Sequence, residues 1–214
     1  MGSRIMHLII ADKVSKKLPI ENKQVFLLGA ISPDAAFTRK RKTDSHFFEG
    51  SLEDGTRFVN YKRFIEKYPT EILNEYALGY LTHLISDDVW MKQVYFKNNF
   101  KNRVDADPRL LERWHNDFRK LNGKLIEWFN CRYLKDELVE DILFKSAIDE
   151  IKLEDLKKFK EETLEDFIYS QEDLLKELEV YSFQQISGYI DFSIKEVIDV
   201  WLSLNKESTS SNLL

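Results

Sequence analysis

An imidazole and a carboxylate four residues apart, His83 and Asp87, stand in the stretch YALGYLTHLISDDVW, Tyr76 to Trp90. The stretch reads as one helix, because Leu78, Leu81, Ile85 and Val89 recur at steps of three and four and no Pro interrupts them. On a helix, side chains four apart leave the same face on adjacent turns. The pair can therefore share one metal ion or bridge two; the same spacing also describes a polar surface pair. Gly79 lies one turn before His83, where a missing side chain lets another backbone or a ligand come close.

Three of the four histidines fall in the first 90 residues: His7, His46 and His83. The carboxylates Asp34 and Asp87 fall there too. Singly, each has an ordinary reading. His7, among Ile5, Leu8 and Ile9, resembles a core histidine, and Asp34, after Ser32-Pro33, resembles a turn or capping Asp. Jointly, three imidazoles and two carboxylates suit zinc or a similar borderline divalent metal. The fourth histidine, His115, stands beside Trp114 and is either a further ligand or a polar group next to an aromatic one. Cys131, the single cysteine, reads as a small buried side chain.

The elements that must position these residues are helical. A first helix spans 3–17 with Ser3 as its cap. FLLGAISPDA, 26–35, is an apolar segment entering a loop, and 36–45 is a polar loop carrying Arg39, Lys40, Arg41 and Lys42. A Gly-containing loop over 49–55 precedes a helix over 56–67. The central helix runs through Trp90 towards Phe96. A polar connection covers 98–108, and a helix covers 108–133. The remaining helices read at 135–150, 153–160, 163–178 and 182–203, with capping boxes at Thr163/Asp166 and Ser182/Gln185. Gly188 suggests close packing or a kink. No strand-like alternation persists and no repeat of fixed period occurs, so the fold class is all-α.

Composition sets the bounds. The chain has 214 residues, 43% hydrophobic, with 7 Gly and 4 Pro, which fits one helical domain over 1–204 and a flexible tail over 205–214. A formal net charge of −5 disfavours a generic nucleic-acid partner. No signal peptide and no apolar run of the roughly 18 residues that span a bilayer is found, so a cytoplasmic location is expected.

The motifs H-L-I-I-A at His7, G-A-I-S-P-D ending at Asp34, S-H-F at His46 and G-Y-L-T-H-L-I-S-D ending at Asp87 resemble, in order, those of the zinc-dependent phospholipase C family. The fungal single-strand-specific nucleases share that fold. The resemblance covers about residues 1–90. It implies that Asp34, His46, His83 and Asp87 hold one zinc ion, and that His7, with Asp87 as bridge, holds a second. It also implies an all-helical fold, a cleft over the metals and hydrolysis of phosphate esters. Two departures stand out. Secreted members complete the second metal with the amine and carbonyl of an N-terminal Trp, and no Trp precedes His7. Members also carry a third metal, whereas Gln93 occupies the place of one expected histidine and His115 is followed one turn later by Arg119. A degraded third site follows.

Two such ions can lower the pKa of a bridging water to near neutrality and offset the charge that a phosphoryl transition state gains. In that chemistry Asp34 is the candidate to hold or deprotonate the water, or is a ligand only. Arg119, or a cation of the 39–42 run, is the candidate to grip a phosphate. Asp88 is a candidate to orient a ligand imidazole. The expected substrate is a phospholipid head group or another small phosphodiester, with peripheral membrane contact as one route to it. The alternatives are a single-strand nuclease and a non-catalytic protein that retains a structural metal.

Overall fold

The computed structural model describes residues 2–139, 144 and 146–211, and the side chains among them except at 73 and 207–211. Its described residues are helical apart from connections and one two-stranded hairpin, so the fold is all-α. The chain orders its elements as α1 (Arg4–Ser15), α2 (Lys23–Ile31), α3 (Arg39–Ser45), β1 (Phe48–Glu49), β2 (Phe58–Val59), α4 (Tyr61–Lys67) and α5 (Glu75–Val89). There follow α6 (Phe100–Ala106), α7 (Arg109–Trp128), α8 (Leu134–Val139), α9 (Leu153–Glu165), α10 (Gln171–Leu175) and α11 (Phe183–Ser211).

The hub is α5. Asn74 caps it by accepting from the Ala77 amide, and every residue from Tyr76 to Val89 is buried. It packs against α1, α2, α4 and α11. A helix enclosed on all sides must find partners for whatever polar groups it carries. The buried Thr82, His83, Ser86, Asp87 and Asp88 pose that requirement here.

The close approach expected at Gly79 is present and is reciprocal. A Cβ on Gly79 would lie 2.0 Å from the carbonyl oxygen of Phe26, and one on Gly29 would lie 2.1 Å from that of Tyr76. Helices α2 and α5 thus cross backbone to backbone, which brings the end of α2 beside His83.

Several expected connections are ordered. The segment 26–35 is not a loop entry: Asn22 caps α2 by accepting from the Val25 amide, and α2 continues to Ile31. A 3-10 turn, Ser32–Ala35, follows, with Pro33 in its first turn, where a missing N–H costs least. The cationic run is not an open loop either. Thr38 caps it by accepting from the Arg41 amide, and it winds into α3. The loop over 49–55 is the tip of an antiparallel hairpin pairing Phe48 with Val59 and Glu49 with Phe58, so the next helix starts at Tyr61, not 56. Past Val89 the winding loosens into a π-helical stretch, Trp90–Phe96. The polar connection over 98–108 contains α6.

In the last third, α8 is described to Val139; of the rest of the expected 135–150 helix, residues 140–143 and 145 lie outside the described residues, and 144 and 146–150 are not helical. Thr163 is buried inside α9, where its hydroxyl donates to the Phe159 carbonyl; the capping box is formed by Ser170 and Asp173 instead. The Ser182/Gln185 box is present in both directions. Gly188 meets nothing within 4 Å, so it neither packs closely nor is crowded. The last helix does not stop at 203: its backbone stays helical to Ser211. No helix among the described residues is long and apolar enough to cross a membrane.

Candidate metal centre

Four elements deliver five donors to one buried point. His7 comes from α1, Asp34 from the 3-10 turn, His46 from the C-cap of α3, and His83 and Asp87 from α5. His46 Nε2 lies 3.3 Å from His83 Nε2, 3.4 Å from Asp34 Oδ1 and 3.5 Å from Asp87 Oδ2. His83 Nε2 is 3.7 Å from Asp87 Oδ2 and 4.0 Å from Asp34 Oδ2. His7 Nε2 faces the other carboxylate oxygen, Asp87 Oδ1, at 3.6 Å. Four ligands placed tetrahedrally about 2.0–2.1 Å from zinc sit roughly 3.3–3.4 Å from one another. The first cluster approaches that spacing.

Asp87 is two-sided: Oδ2 serves His46 and His83, and Oδ1 serves His7. That arrangement suits the bridge that the resemblance implies. Donor atoms of His7, His83 and Asp87 form one close group, and those of Asp34, His46 and His83 form another. His83 thus stands where the two groups meet.

The outer hydrogen bonds fix the ring tautomers. His83 Nδ1 lies 2.8 Å from the Ala30 carbonyl and His46 Nδ1 lies 2.9 Å from that of Lys42. A carbonyl only accepts, so both Nδ1 atoms carry the proton and both Nε2 atoms present lone pairs. His7 Nδ1 lies 3.0 Å from Ser86 Oγ, whose own proton goes to the His83 carbonyl. His7 Nδ1 is therefore also the donor, and its buried Nε2 has no hydrogen-bond partner. Two lone pairs facing each other at 3.3 Å, with a third orphaned beside them, repel unless a cation lies between them. The donor set fits a divalent metal by its own chemistry.

The electrostatics agree. Burial pushes His7 well below the ordinary imidazole range, with the neighbouring His83 adding to it, and burial lowers His46 as well. Both imidazoles are thus neutral, the form a metal requires. Burial is the largest influence on Asp34 and would raise it, but the ammonium of Lys42, 2.8 Å from Oδ1, and the neighbouring His46 and His83 act against it, and the carboxyl is held well below its usual range.

Above Asp34 opens a cavity of about 570 Å³. His115 and Arg119 line it from α7, Arg39 from the start of α3 and Arg57 from the hairpin. His115 joins neither donor group. It stands on the cavity wall beside Trp114, with ring centroids 5.1 Å apart. Gln93 lines a different cavity, so a third centre built from these two positions has no common space. Arg119 does not pair with Asp117, whose carboxylate accepts from the Glu179 and Val180 amides and from Lys120. Asp88 does not orient a ligand imidazole. It is bound to Lys92 and lines a separate cavity. The orienting groups are Ser86, Ser45 and the carbonyls of Ala30 and Lys42. Carbonyls have no sequence signature. Ser86, three residues after His83, was the one legible hint.

A cluster of two carboxylates and three imidazoles at the heart of an all-helical domain, beside an open cavity, defines a helical protein with a candidate metal centre. The family model for zinc dependent phospholipase C matches residues 6–192, and the chain belongs to that family. The match extends far beyond the residues 1–90 that carry the motifs. No curated protein and no solved structure matches the chain.

Proposed function

We propose that the protein is a zinc-dependent hydrolase of a small phosphodiester, a phospholipid head group or a soluble ester of similar size. One observation carries the reading: bare Nε2 donors and a two-sided carboxylate lie at the floor of a cavity whose walls carry cations. His46, His83, Asp34 and one oxygen of Asp87 would hold one ion, and His7 with the other oxygen would begin the shell of a second. Zinc bound there supplies Lewis acidity that makes water nucleophilic near neutral pH.

The chain's own residues do the rest. Because Lys42 and the neighbouring imidazoles together keep Asp34 ionised well below neutrality, Asp34 is a weak base; it orients a water rather than storing its proton. Arg119 is always charged and grips phosphate oxygens through its planar fork. In the reaction, the water oxygen bonds to phosphorus, the bond from phosphorus to the leaving oxygen breaks, and the proton ends on the leaving alcohol. The formal net charge of −5 disfavours a polymeric nucleic-acid substrate.

The test is hydrolysis of bis(p-nitrophenyl) phosphate. Turnover should vanish with chelator and return with zinc, and an excess of single-stranded DNA should barely inhibit. A zinc-loaded protein inert on lipid, nucleotide and generic diesters would establish the non-catalytic alternative. Arg119→Ala should keep its zinc and lose about one to three orders of magnitude in turnover, the scale seen when a charge donor to the transition state is removed. Lysine should rescue poorly. Wild-type turnover in Arg119→Ala would leave Arg119 a surface residue.

A further inference from the structure

The cavity holds more positive charge than one phosphodiester requires. Among its lining cations, Arg4 is paired with Asp166 and Glu162, and Lys42 is paired with Asp34. Arg39, Arg57 and Arg119 line the same space and make no ion pair among the described residues. In a chain of net charge −5, three such guanidinium groups converging on one cavity do not reflect the average surface.

Their placement separates two anion positions. Phe48 stacks on His46, with ring centroids 5.1 Å apart and planes 7° from parallel. Arg57 in turn lies 4.2 Å over the Phe48 ring. A guanidinium on an aromatic face is held in place by cation–π attraction. Arg57 is thus two layers removed from the ligand imidazole. Arg39 lines the same cavity as Arg57. Partial burial, and after it the charge of Arg39, lower the pKa of Arg57, so two like charges share this space. A phosphomonoester, with a charge of about −1.5 to −2 and three acceptor oxygens, relieves that repulsion. Phe48, Trp114, Phe118 and Phe159 give the span between the two positions apolar walls.

We propose, building on the phosphodiester hydrolase reading, that the substrate carries a second, non-scissile phosphate, held by Arg39 and Arg57 while the scissile one faces the donor cluster and Arg119. The substrate class is a doubly phosphorylated small ester, either a soluble one or the head group of a lipid.

The experiment is calorimetry on the zinc-loaded full chain with butane-1,4-diol bisphosphate and with butyl phosphate, which differ by one phosphate. The bisphosphate should bind about tenfold tighter or better. The double variant Arg39→Gln/Arg57→Gln should abolish that preference, and Arg57→Lys, which keeps the charge but not the fork, should retain part of it. Equal wild-type affinities overturn the proposal, as does a preference that survives the double variant. A protein that hydrolyses bis(p-nitrophenyl) phosphate yet shows no preference loses only this inference. One that hydrolyses nothing yet shows the preference loses the hydrolase reading and keeps the two-anion cavity. Vesicles of phosphatidylcholine with and without phosphatidylinositol 4-phosphate distinguish the sources: binding that depends on the phosphorylated lipid assigns a head group, and binding of the soluble bisphosphate alone assigns a free ester.

Discussion

Asp87→Ala should purify without zinc at either position, and its diester hydrolysis should fall by at least about three orders of magnitude, to the chelated background. The expectation follows from the two oxygens serving different sides of the centre, Oδ1 towards His7 and Oδ2 towards His46 and His83. On the proposed two-ion reading, removing the carboxylate would take one ligand from each ion and one negative charge from between them. His46→Ala removes a donor from the Asp34 side only, so elemental analysis should show loss of one ion and partial retention of the other. Asp87→Asn keeps the shape but not the charge and should fall between the two. Full zinc stoichiometry in Asp87→Ala would remove Asp87 from the centre altogether.

Acid should weaken the metal-free protein, and the sign follows from burial. His7 and His46 titrate below the ordinary imidazole range in the fold, so the unfolded chain binds protons first as pH falls. Stability rises with pH wherever the unfolded state binds more protons. The contribution of these two groups is therefore complete above the unfolded imidazole pKa near 6.5 and declines below it. Asp34, also lowered, adds a decline of the same sign in the carboxylate range.

The candidate donors that the fold brings together were legible in the sequence because metal chemistry restricts residue type and because α5 enforces its own spacing. His83 and Asp87 meet simply by being four apart on one helix. Asp34 and His46 were legible only through their motifs. Nothing local says that Ser32–Ala35 tightens into a 3-10 turn, or that the cations after it wind into a helix capped by Thr38. The second support of each imidazole was hidden for a different reason. Ala30 and Lys42 act through backbone carbonyls, which every residue has. Arg57 went unnoticed because its place over the Phe48 ring depends on a hairpin of two-residue strands, too short to leave an alternating pattern. Arg119 was reachable from its spacing to His115, although its cavity was not.

The second large effect lies one turn away from the chemistry, at Gly79. A Cβ there would stand 2.0 Å from the Phe26 carbonyl oxygen, a distance no van der Waals contact permits, and the obstacle is backbone rather than a side chain that can swing aside. Ordinary overpacking costs about 1–3 kcal/mol because side chains yield. Here helices α2 and α5 must part along their whole crossing, so Gly79→Ala should cost about 4 kcal/mol or more. At roughly 2–4 °C per kcal/mol for a chain of this size, the melting temperature should drop by about 8–16 °C. Parting the helices also draws the Ala30 carbonyl away from His83 Nδ1, so residual folded protein should bind zinc more weakly although no ligand has changed. Gly188→Ala is the control. It sits inside α11 with open space around it, and Ala there should raise stability by about 0.4–1 kcal/mol through helix propensity and a less free unfolded chain. If Gly79→Ala and Gly188→Ala melt at the same temperature, α2 and α5 do not cross at their glycines and the Ala30 carbonyl is not what orients His83.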